Sequence, residues 1–482
     1  MLKIDTAKPQ ALFSIASTRS LEHDLQKNLP PHTLMQRAGL ATAQLALAIA
    51  PHARSIWIAC GPGNNGGDGL EAASRLKKLG KDVVVTWLGT AAQATPDSLA
   101  SHQQAMQAGV TFADSPPQDF DLCIDALLGI GATDRAPLGV MADWIMHMNH
   151  SGQAILSVDL PTGLNADTGR VCEPHVCATH TLCLLTLKPG LYTAHGRDVC
   201  GDVWLADLGL DPGDTAFLNP SAWLTANPAP LKRLHASHKG SYGDVAIVGG
   251  APGMTGAALL AACAALHAGA GRVFVSLLDT NALQVDITQP ELMFRPLKEL
   301  NLADMVLVVG CGGGKPIEAV MSTLLSAPSP LVLDADALNA VAQNKLWQSM
   351  LIKRQENAWV TVLTPHPLEA ARLLNTTVEA IQSNRLLAAQ QLADHFGCIA
   401  VLKGSGTVIS APGQIPFINP TGNGKLATAG SGDVLAGLLG TQLAAGHSAL
   451  TAARDAVFHH GEVADLWPAG QALCAGALAK LL

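Results

Sequence analysis

Short apolar segments rich in β-branched residues alternate along this chain with longer stretches rich in alanine and leucine. The longer stretches, such as residues 70–79 and 99–108, have the composition and length of helices. The short segments predict strands at residues 55–60, 82–88, 121–125, 154–159, 244–248, 272–277, 305–309, 331–334, 359–363 and 399–403. Strands that alternate with helices in this way favour parallel sheets joined by right-handed crossovers, so the predicted fold class is α/β.

The chain has 482 residues, more than one hydrophobic core usually supports, and we therefore expect two domains. Residues 210–231 are rich in helix and strand breakers and have no sustained apolar period. We predict a first domain at residues 1–212, a linker at 213–232 and a second domain at 233–482. Each half has its own glycine-rich loops, which indicates two separate sites.

Composition and charge narrow the class of protein. There are 30 Lys plus Arg against 38 Asp plus Glu, a net charge of −8, which does not favour a nucleic-acid partner. The most apolar stretch, residues 257–270, contains a histidine and is too short to span a membrane, and no signal peptide is recognisable. The ten cysteines include no Cys-x-x-Cys pair, which favours reduced thiols in the cytoplasm. The alanine-rich apolar content predicts a homo-oligomer.

The strand predicted at residues 55–60 runs into a loop, Gly61-Pro-Gly-Asn-Asn-Gly-Gly-Asp-Gly69, before a helix predicted to begin at Leu70. A strand, a glycine loop and a helix N-terminus together present backbone N–H groups to a phosphate. The loop also satisfies the Gly-x-Gly-x-x-Gly pattern of Rossmann dinucleotide folds. However, the next strand offers no acid for a ribose hydroxyl, and the loop's Asn and Asp side chains predict more specific contacts.

Two aspartates, Asp125 and Asp159, end later strands of the same predicted sheet. Because the carboxyl ends of parallel strands share one edge, both should meet the glycine loop there. Each aspartate alone could equally cap a helix, but three such strand ends at one edge favour a site. Asn65, Asp125 and Thr162 offer oxygen ligands suited to a hard cation, which leaves Asp159 as a candidate general acid or base.

These motifs resemble the NAD(P)H-hydrate epimerase domain over about residues 10–212. The resemblance is carried by the loop at 61–69, Asp-Ala-Leu-Leu-Gly-Ile-Gly at 125–131, the segment 158–169 and Gln-Arg-Ala-Gly at 36–39. It implies a Rossmann-like three-layer αβα sandwich in which Asp159 acts on the substrate. It also implies that Asn65, Asp125 and Thr162 bind potassium, with Thr162 where the family more often has Ser. The substrate-binding residues that it implies are Asn64, Asn65, Gly66, Gly67, Asp68, Gly129, Ile130, Gly131, Ala132, Thr133, Asp134, Arg135 and Asp159.

In the second half the sharpest motif is Gly430-Ser-Gly-Asp433, which opens a helix predicted at residues 434–443. Free N–H groups at such a helix N-terminus suit a transferring phosphoryl group. Asp433 in the first turn should be held ionised by the helix dipole, where it could take a proton from an attacking hydroxyl. The alternative is an ordinary first-turn acid.

This half resembles the ribokinase-like superfamily, and within it the NAD(P)H-hydrate dehydratase domain, over about residues 233–480. The resemblance is carried by segments 249–257, 364–373, 402–407 and 429–437, and it implies a ribokinase-like αβα sandwich with Asp433 as the base. The binding residues that it implies are Lys403, Gly404, Ser405, Gly406, Thr407 and Gly432 for the adenine nucleotide, and Ala257, Gly314, His366 and Asp433 for the hydrate. There are two departures from the family: Gly-Cys-Gly-Gly-Gly at 310–314 replaces Gly-Pro-Gly-Leu-Gly, and Asn-Gly-Lys-Leu-Ala at 423–427 replaces Asn-Pro-Gly-Met-Ala, which predicts Lys425 beside the phosphates.

The two resemblances follow the order of the fused bacterial enzymes and imply one substrate, NADHX or NADPHX, the hydrates of the reduced cofactors. The first domain would interconvert the R and S hydrates. The second would phosphorylate the S hydroxyl from ADP, with magnesium on the nucleotide, and then eliminate phosphate. Two alternatives stay open: a ribokinase-like small-molecule kinase with a regulatory nucleotide-binding N-terminal domain, and a non-enzymatic dinucleotide sensor. The sequence does not determine whether ADP or ATP donates the phosphoryl group, or whether NADHX or NADPHX is preferred. It also does not determine whether the intermediate passes directly between the two sites.

A further cluster combines Cys172, His175, Cys177, His180 and Cys183 within twelve residues, close enough to suggest zinc. The spacing matches no zinc pattern. On a strand predicted over residues 181–187, His180 and Cys183 would point to opposite faces. We therefore favour buried or surface thiols, with a metal site as the alternative that the sequence leaves open.

Overall fold

The computed structural model describes residues 1–131, 135–210, 218–229, 235–282 and 284–482. The chain divides into two compact units, one formed by Met1–Asp5 with Gln10–Ala222 and the other by Thr6–Pro9 with Trp223–Leu482. Both units consist of alternating strands and helices, which confirms the α/β class with two domains. Within the described ranges, no helix is both long enough and apolar enough to cross a membrane.

The first unit contains a mainly parallel sheet with the strand order β1-β9-β8-β7-β6-β3-β4-β5, in which β1 runs antiparallel to β9. Its central strands are buried on both faces, as expected for a sheet covered by helices. The strands of this unit are β1 (Leu2–Lys3), β2 (Gln10–Leu12), β3 (Ser55–Cys60), β4 (Asp82–Trp87), β5 (Thr111–Phe112), β6 (Leu122–Ala126), β7 (Ala154–Val158), β8 (His180–Leu184) and β9 (Asp202–Ala206). The helices are α1 (Ile15–Asn28), α2 (Thr33–Ile49), α3 (Asn64–Lys78), α4 (Pro96–Gln107), α5 (Val140–His150) and α6 (Gly196–Val199).

Helix α3 begins at Asn64, six residues before the predicted start at Leu70, and this is a correction to the sequence analysis. The glycines argued against a helix because glycine has a low helix propensity. In the structure they allow close packing instead: a Cβ on Gly66 would collide with the carbonyl of Gly61, and one on Gly69 with Ala126. Tertiary packing therefore outweighs propensity, and the predicted loop forms the first two turns of a helix.

The second unit contains a sheet whose strands follow the order β13-β12-β11-β14-β15-β16-β17-β18-β19-β10. The strands from β13 to β17 are parallel, whereas β18 is antiparallel to both of its neighbours. The strands are β10 (Ala222–Leu224), β11 (Asp244–Gly249), β12 (Arg272–Leu277), β13 (Met293–Phe294), β14 (Val306–Val309), β15 (Leu331–Leu333), β16 (Thr361–Leu363), β17 (Ile399–Leu402), β18 (Val408–Ser410) and β19 (Phe417–Ile418).

Helices cover both faces of this second sheet and form two hydrophobic clusters with it. The helices are α7 (Thr255–His267), α8 (Glu318–Leu325), α9 (Ala335–Gln343), α10 (Lys345–Glu356), α11 (Pro367–Leu373), α12 (Val378–Ser383), α13 (Arg385–Phe396), α14 (Ser431–Ala444), α15 (Ala449–Leu466) and α16 (Ala475–Ala479). Helix α14 begins at Ser431, three residues before the predicted start, after Gly430 in the left-handed conformation at φ 88°. The glycine-rich motif is thus the first turn of the helix.

Part of the segment predicted as a linker is a strand. Strand β10 pairs in parallel with β19, at Trp223 with Phe417 and at Leu224 with Ile418. Three residues are too few to show a period in the sequence, so the apolar pattern could not reveal this strand. Residues 213–217 and 230–232 of the predicted linker lie outside the described residues.

Candidate functional sites

In the first unit, the ends of several neighbouring strands and helix α1 surround a cavity of about 500 Å³. The predicted site residues that line it are Asn64, Asn65, Asp68, Gly129, Ile130, Gly131 and Asp159. Gly66 and Gly67 are buried in α3, and Arg135 is exposed. Ala132, Thr133 and Asp134 lie outside the described residues. The structure therefore brings most of the predicted substrate-binding residues to one place.

Asp159 follows β7 and adopts φ 67°, a left-handed conformation that is uncommon for a residue other than glycine. Its Oδ1 lies 2.6 Å from Nζ of Lys188, and its Oδ2 accepts a hydrogen bond of 3.1 Å from the amide of Ile130. The Lys188 side chain is fully buried. Burial alone lowers the pKa of Lys188, but the Asp159 carboxylate raises it, and the net pKa lies above its ordinary value. A buried ammonium ion thus holds the Asp159 carboxylate in place.

Two residues that the motifs did not reveal also line the cavity: Lys188, and Glu22 on α1, whose carboxyl group joins those of Asp68, Asp97 and Asp159. Burial raises the pKa of Glu22, and the charge of Asp159 raises it further. Burial and the charge of Asp159 also raise the pKa of Asp68, which lies well above its ordinary value. The sequence contains one feature that could have indicated Lys188. It is a charged residue that follows an apolar strand closely, and this strand ends at the same sheet edge as the strand before Asp159.

Asp125 and Thr162, two of the predicted cation ligands, are hydrogen-bonded to each other beneath the cavity. Oδ1 of Asp125 accepts from Oγ1 of Thr162 at 2.7 Å, and Oδ2 accepts from the Thr162 amide at 2.9 Å and from Ser157 at 2.8 Å. Burial raises the pKa of Asp125, although these hydrogen bonds oppose the change. Both polar atoms of the Asn65 side chain are buried without a hydrogen-bond partner in the described part of the chain. A Cβ on Gly129 would lie 3.2 Å from Oδ1 of Asn65 and 3.0 Å from Oδ2 of Asp159, so Asn65 and Asp159 flank Gly129.

In the second unit, Asp433 lies in the first turn of α14 beside Asp334, which directly follows β15. The side-chain ligand atoms of Asp433, Asp334 and Cys311 all lie within 4.8 Å of one another. Burial raises the pKa of Asp433 to about 6, and the charge of Asp334 contributes to this increase. Burial therefore opposes the ionisation that the helix dipole favours, and with a pKa of about 6 Asp433 is still ionised at neutral pH.

Lys403, predicted to bind the nucleotide, points its ammonium group at Asp334 instead of at solvent. Its Nζ lies 2.6 Å from Oδ1 of Asp334, which also accepts from Oγ1 of Thr364 at 2.8 Å. A Cβ on Gly432 would lie 3.2 Å from this Nζ, so the lysine is next to the N-terminus of α14. Asp334 is a functional candidate that the sequence analysis did not select.

The remainder of the predicted nucleotide loop is exposed at Gly404 and Ser405, whereas Gly406 is buried. Thr407 donates from Oγ1 to the carbonyl of Gly404 at 3.1 Å. Arg385, which is buried, donates to the carbonyls of Leu402 and Lys403, both at 3.2 Å. The loop therefore rests on a fixed guanidinium group.

The residues predicted to meet the hydrate lie at the starts of helices and in a glycine-rich loop: Ala257 in α7, Asp433 in α14, His366 before α11 and Gly314 after β14. A Cβ on Gly312 would lie 2.9 Å from that of Ala257, and the amide of Gly314 donates to Asp336 at 2.8 Å. His366 caps α11, and its Nε2 lies 3.2 Å from Oε1 of Glu369. Burial raises the pKa of Glu369 to about 7.

Two further sequence interpretations concern side chains outside these sites. Lys425 donates to the carbonyls of Ala464 at 3.4 Å and Trp467 at 3.0 Å, at the C-terminal end of α15. These two carbonyl groups hold the ammonium group at the end of the helix, and a position of Lys425 beside the phosphates stays a prediction. In the cluster of Cys172, His175, Cys177, His180 and Cys183, no three ligand atoms converge within 4.8 Å among the described residues.

The second unit has a mainly parallel sheet, a helix opened by a glycine-rich turn, and a carboxylate in the first turn of that helix. These α/β features are the ones that the ribokinase-like resemblance implies for this unit.

Comparison with known proteins identifies the family. Residues 245–482 match the family model described as NAD(P)H-hydrate dehydratase, and residues 31–190 match that of the YjeF-related protein N-terminus. The chain is 35% identical over 479 residues to the bifunctional NAD(P)H-hydrate repair enzyme Nnr of Coxiella burnetii, covering 94% of each chain. It is also 35% identical over 459 residues to the Escherichia coli enzyme of that name, covering 90% of this chain and 85% of the relative. The chain belongs to the family of bifunctional NAD(P)H-hydrate repair enzymes, which confirms the family predicted from the motifs.

Among solved structures, the ADP/ATP-dependent NAD(P)H-hydrate dehydratase from Bacillus subtilis, co-crystallised with ATP and Mg²⁺, is similar to part of the chain. The two are 28% identical with a TM-score of 0.43, and the match covers 52% of this chain and 91% of that protein.

Proposed function

We propose that this protein repairs hydrated NADH and NADPH at two separate sites. The first unit interconverts the R and S hydrates, and the second dehydrates the S hydrate at the expense of ADP. The observation that carries the proposal is that one chain holds two different carboxylate sites. Asp159 is ion-paired with Lys188 in the first unit, and Asp433 lies beside the Lys403–Asp334 pair in the second.

The chemistry of the hydrate explains how a carboxylate can invert its configuration. Water adds to the dihydronicotinamide ring at the carbon bonded to nitrogen, because protonation of the enamine generates an iminium ion there. Loss of that hydroxyl returns the planar iminium ion, which water can attack from either face. Asp159, held in place by the ammonium group of Lys188, is suited to take the proton from an attacking water. Asn64 and Asp68 on α3, with Gly129, Ile130 and Gly131, would hold the substrate, and Ala132–Arg135 remain predicted contacts.

We also propose that Asn65, Asp125 and Thr162 hold a potassium ion. The unpartnered, buried carbonyl oxygen of Asn65 and the fully buried Asp125 carboxyl fit a monovalent cation with oxygen ligands. Such an ion would supply a positively charged partner for the buried carboxylate of Asp125, whose hydrogen bonds come from neutral groups. Asp125 and Thr162 would position the ion beneath the cavity, and Asn65 would connect it to the substrate side.

Dehydration needs more than acid and base, because hydroxide is a poor leaving group. Asp433 would take the hydroxyl proton while the oxygen attacks the terminal phosphoryl group of ADP, which releases AMP. The free N–H groups at the start of α14, including that of Gly432, would stabilise the phosphoryl charge, and magnesium bound with the nucleotide would offset the charge of its phosphates. Loss of phosphate and of a proton from the adjacent carbon then restores NAD(P)H. Lys403, Gly404, Ser405, Gly406 and Thr407 would hold the nucleotide; Ala257, Gly314 and His366 would meet the hydrate.

The test follows NAD(P)H absorbance in a mixture of R and S hydrates with ADP, with ATP or without nucleotide. Complete conversion that depends on a nucleotide supports both activities, and the two nucleotide arms identify the donor. A phosphorylated product that persists without NAD(P)H formation would instead indicate a small-molecule kinase. Cytoplasmic location and homo-oligomeric assembly stay predictions.

A further inference from the structure

Helix α1 contributes a carboxyl group to the cavity of the first unit, and neither the motifs nor the proposed mechanism uses it. Glu22 lines the cavity together with Asp159 and Lys188, although it comes from a different element. The structure gives the Glu22 carboxyl group no hydrogen-bond or ion-pair partner within the described residues. A half-buried acid that faces a substrate cavity without a partner is available to the substrate.

Three contacts fix α1, and therefore Glu22, against the rest of the site. The amide of Ile15, in the first turn, donates to Oδ1 of Asp167 at 2.9 Å. Thr18, one turn before Glu22, shares a buried hydrogen bond of 2.7 Å with Thr186. Since Thr18 and Glu22 are four residues apart, they lie on the same face of the helix.

The third contact connects α1 to the loop that binds Asp159. Arg19 donates to the carbonyl of Ile130 at 3.3 Å, and the amide of Ile130 donates to Asp159. Thr186 lies two residues before Lys188. The contacts of Thr18 and Arg19 therefore involve segments that also hold the Asp159–Lys188 pair, and the position of Glu22 is coupled to that pair.

The carboxyl groups of Glu22 and Asp159 have different charged neighbours. Asp159 and Lys188 face it from the ends of β7 and β8, Arg19 lies on its own helix, and Asp68 faces it from α3. Burial and the charge of Asp159 raise the pKa of Glu22, whereas Asp159 has Lys188 in direct contact. Glu22 and Asp159 thus line one cavity in different surroundings, Glu22 without a hydrogen-bond partner among the residues that the structure describes and Asp159 ion-paired with Lys188, as an acid and base pair requires.

We propose that Glu22 is the second proton-transfer group of the epimerase and acts on the face of the nicotinamide ring opposite Asp159. In one direction, protonated Glu22 gives its proton to the hydroxyl. The C–O bond then breaks, its electron pair leaves with the oxygen as water, and the ring nitrogen lone pair forms the C=N bond. A water on the other face adds to this carbon and loses its proton to Asp159, and exchange with solvent restores both carboxyl groups. In the reverse direction the two residues exchange roles.

This inference rests on the proposed epimerase function and deepens it. Because the hydroxyl leaves and a new water enters, each epimerisation incorporates one oxygen atom from solvent. After a single inversion in H₂¹⁸O, the hydroxyl oxygen of the product should therefore be ¹⁸O. Retention of the original oxygen would indicate inversion by ring opening and would overturn the proposal.

The decisive variant is E22Q, which keeps the size of the side chain but removes its titration. We expect its kcat for R to S interconversion to fall by about 10²-fold after subtraction of the rate in buffer. In the wild type, epimerisation that needs protonated Glu22 should decline at high pH, and E22Q should lack this decline. E22D should recover part of the activity and the decline. The dehydration of pure S hydrate should be unchanged in both variants.

Asp24 provides a matched control on the same helix. It is exposed, and its ion-pair partner among the described residues is Lys27, three residues further along α1. D24N should epimerise at the wild-type rate. If E22Q folds and keeps wild-type kcat and pH dependence, or if D68N removes the alkaline decline while E22Q does not, the assignment to Glu22 is wrong. If the wild type itself does not epimerise above the rate in buffer, the proposed function fails instead.

Discussion

At the scale of single residues, the ionisation of Asp433 sets the expected pH dependence of dehydration. Its pKa is raised to about 6, mainly by burial, and a base must be deprotonated to accept a proton. The kcat/KM for the S hydrate should therefore be constant at neutral pH and fall as the pH decreases through about 6. Cys311 donates a hydrogen bond to Asp433 that lowers this pKa, so C311A should move the acid limb to higher pH.

The control for this prediction is C398A. Cys398 is a buried thiol of the same unit, and it is not part of the cluster around Asp433. Its removal should leave the pH profile unchanged. An acid limb that stays in place in C311A would show that the thiol does not influence Asp433. The comparison is informative because the loop at 310–314 is where this chain departs from the family pattern.

The sequence identified single acids at strand ends but not their partners. Asp159 and Asp433 could be found because each follows a recognisable local pattern, a strand end or a glycine-rich helix start. Lys188 is 29 residues from Asp159, and Lys403 is 69 residues from Asp334. To predict such ion pairs, one must know which strands are neighbours in the sheet and in what register they pair. A local sequence motif contains neither piece of information.

At the scale of elements, buried arginines link the helices to the loops that they support. Arg385, at the start of α13, holds the carbonyls of Leu402 and Lys403 below the proposed nucleotide loop. R385M would leave these carbonyls unpaired and release the loop. We expect the KM for ADP to rise about tenfold and the free energy of unfolding to fall by about 2 kcal/mol. Steady-state kinetics and thermal unfolding of the variant would measure both.

Arg354 is a matched control with the opposite placement. It is equally buried, and it donates to the carbonyls of Ser329 and Val360, which precede β15 and β16 at the amino edge of the sheet. R354M should destabilise the protein to a similar extent while leaving the KM for ADP unchanged. An equal rise in KM in both variants would indicate a general loss of structure and would contradict a specific role for Arg385.

The starts of α3 and α14 show where element prediction fails. Both helices begin inside glycine-rich motifs, at Asn64 and Ser431, although glycine disfavours helices. In α14, a Cβ on Gly437 would collide with the backbone of Ala261 in α7. The glycines are present because neighbouring backbones approach closely, and propensity cannot reveal an approach that depends on the tertiary fold.

At the scale of the whole molecule, the alternation of strands and helices was sufficient to predict two α/β domains. The central strands are mostly apolar and buried because helices cover both faces of each sheet. The short strands β10, β18 and β19 have two or three residues each and escaped prediction. Such strands form by pairing with neighbouring strands of the sheet. Two or three residues are too few to show the pattern by which a strand is recognised in the sequence.

Two sites in one chain predict activities that can be removed separately. In a mixture of hydrates with ADP, D159N should convert the S hydrate at the wild-type rate and leave the R hydrate to the slow reaction in buffer. D433N should form no NAD(P)H but should still interconvert pure R and S hydrates. Chiral separation of the hydrates, together with NAD(P)H absorbance, measures both activities.

Mixing the two variants extends this prediction to the path of the intermediate. If the S hydrate is released into solution, an equimolar mixture of D159N and D433N should restore complete conversion, because each variant supplies the site that the other lacks. The rate should then increase with total protein concentration. Loss of both activities in either variant, with unfolding temperature unchanged, would mean that Asp159 and Asp433 serve one site, contrary to the two-site assignment.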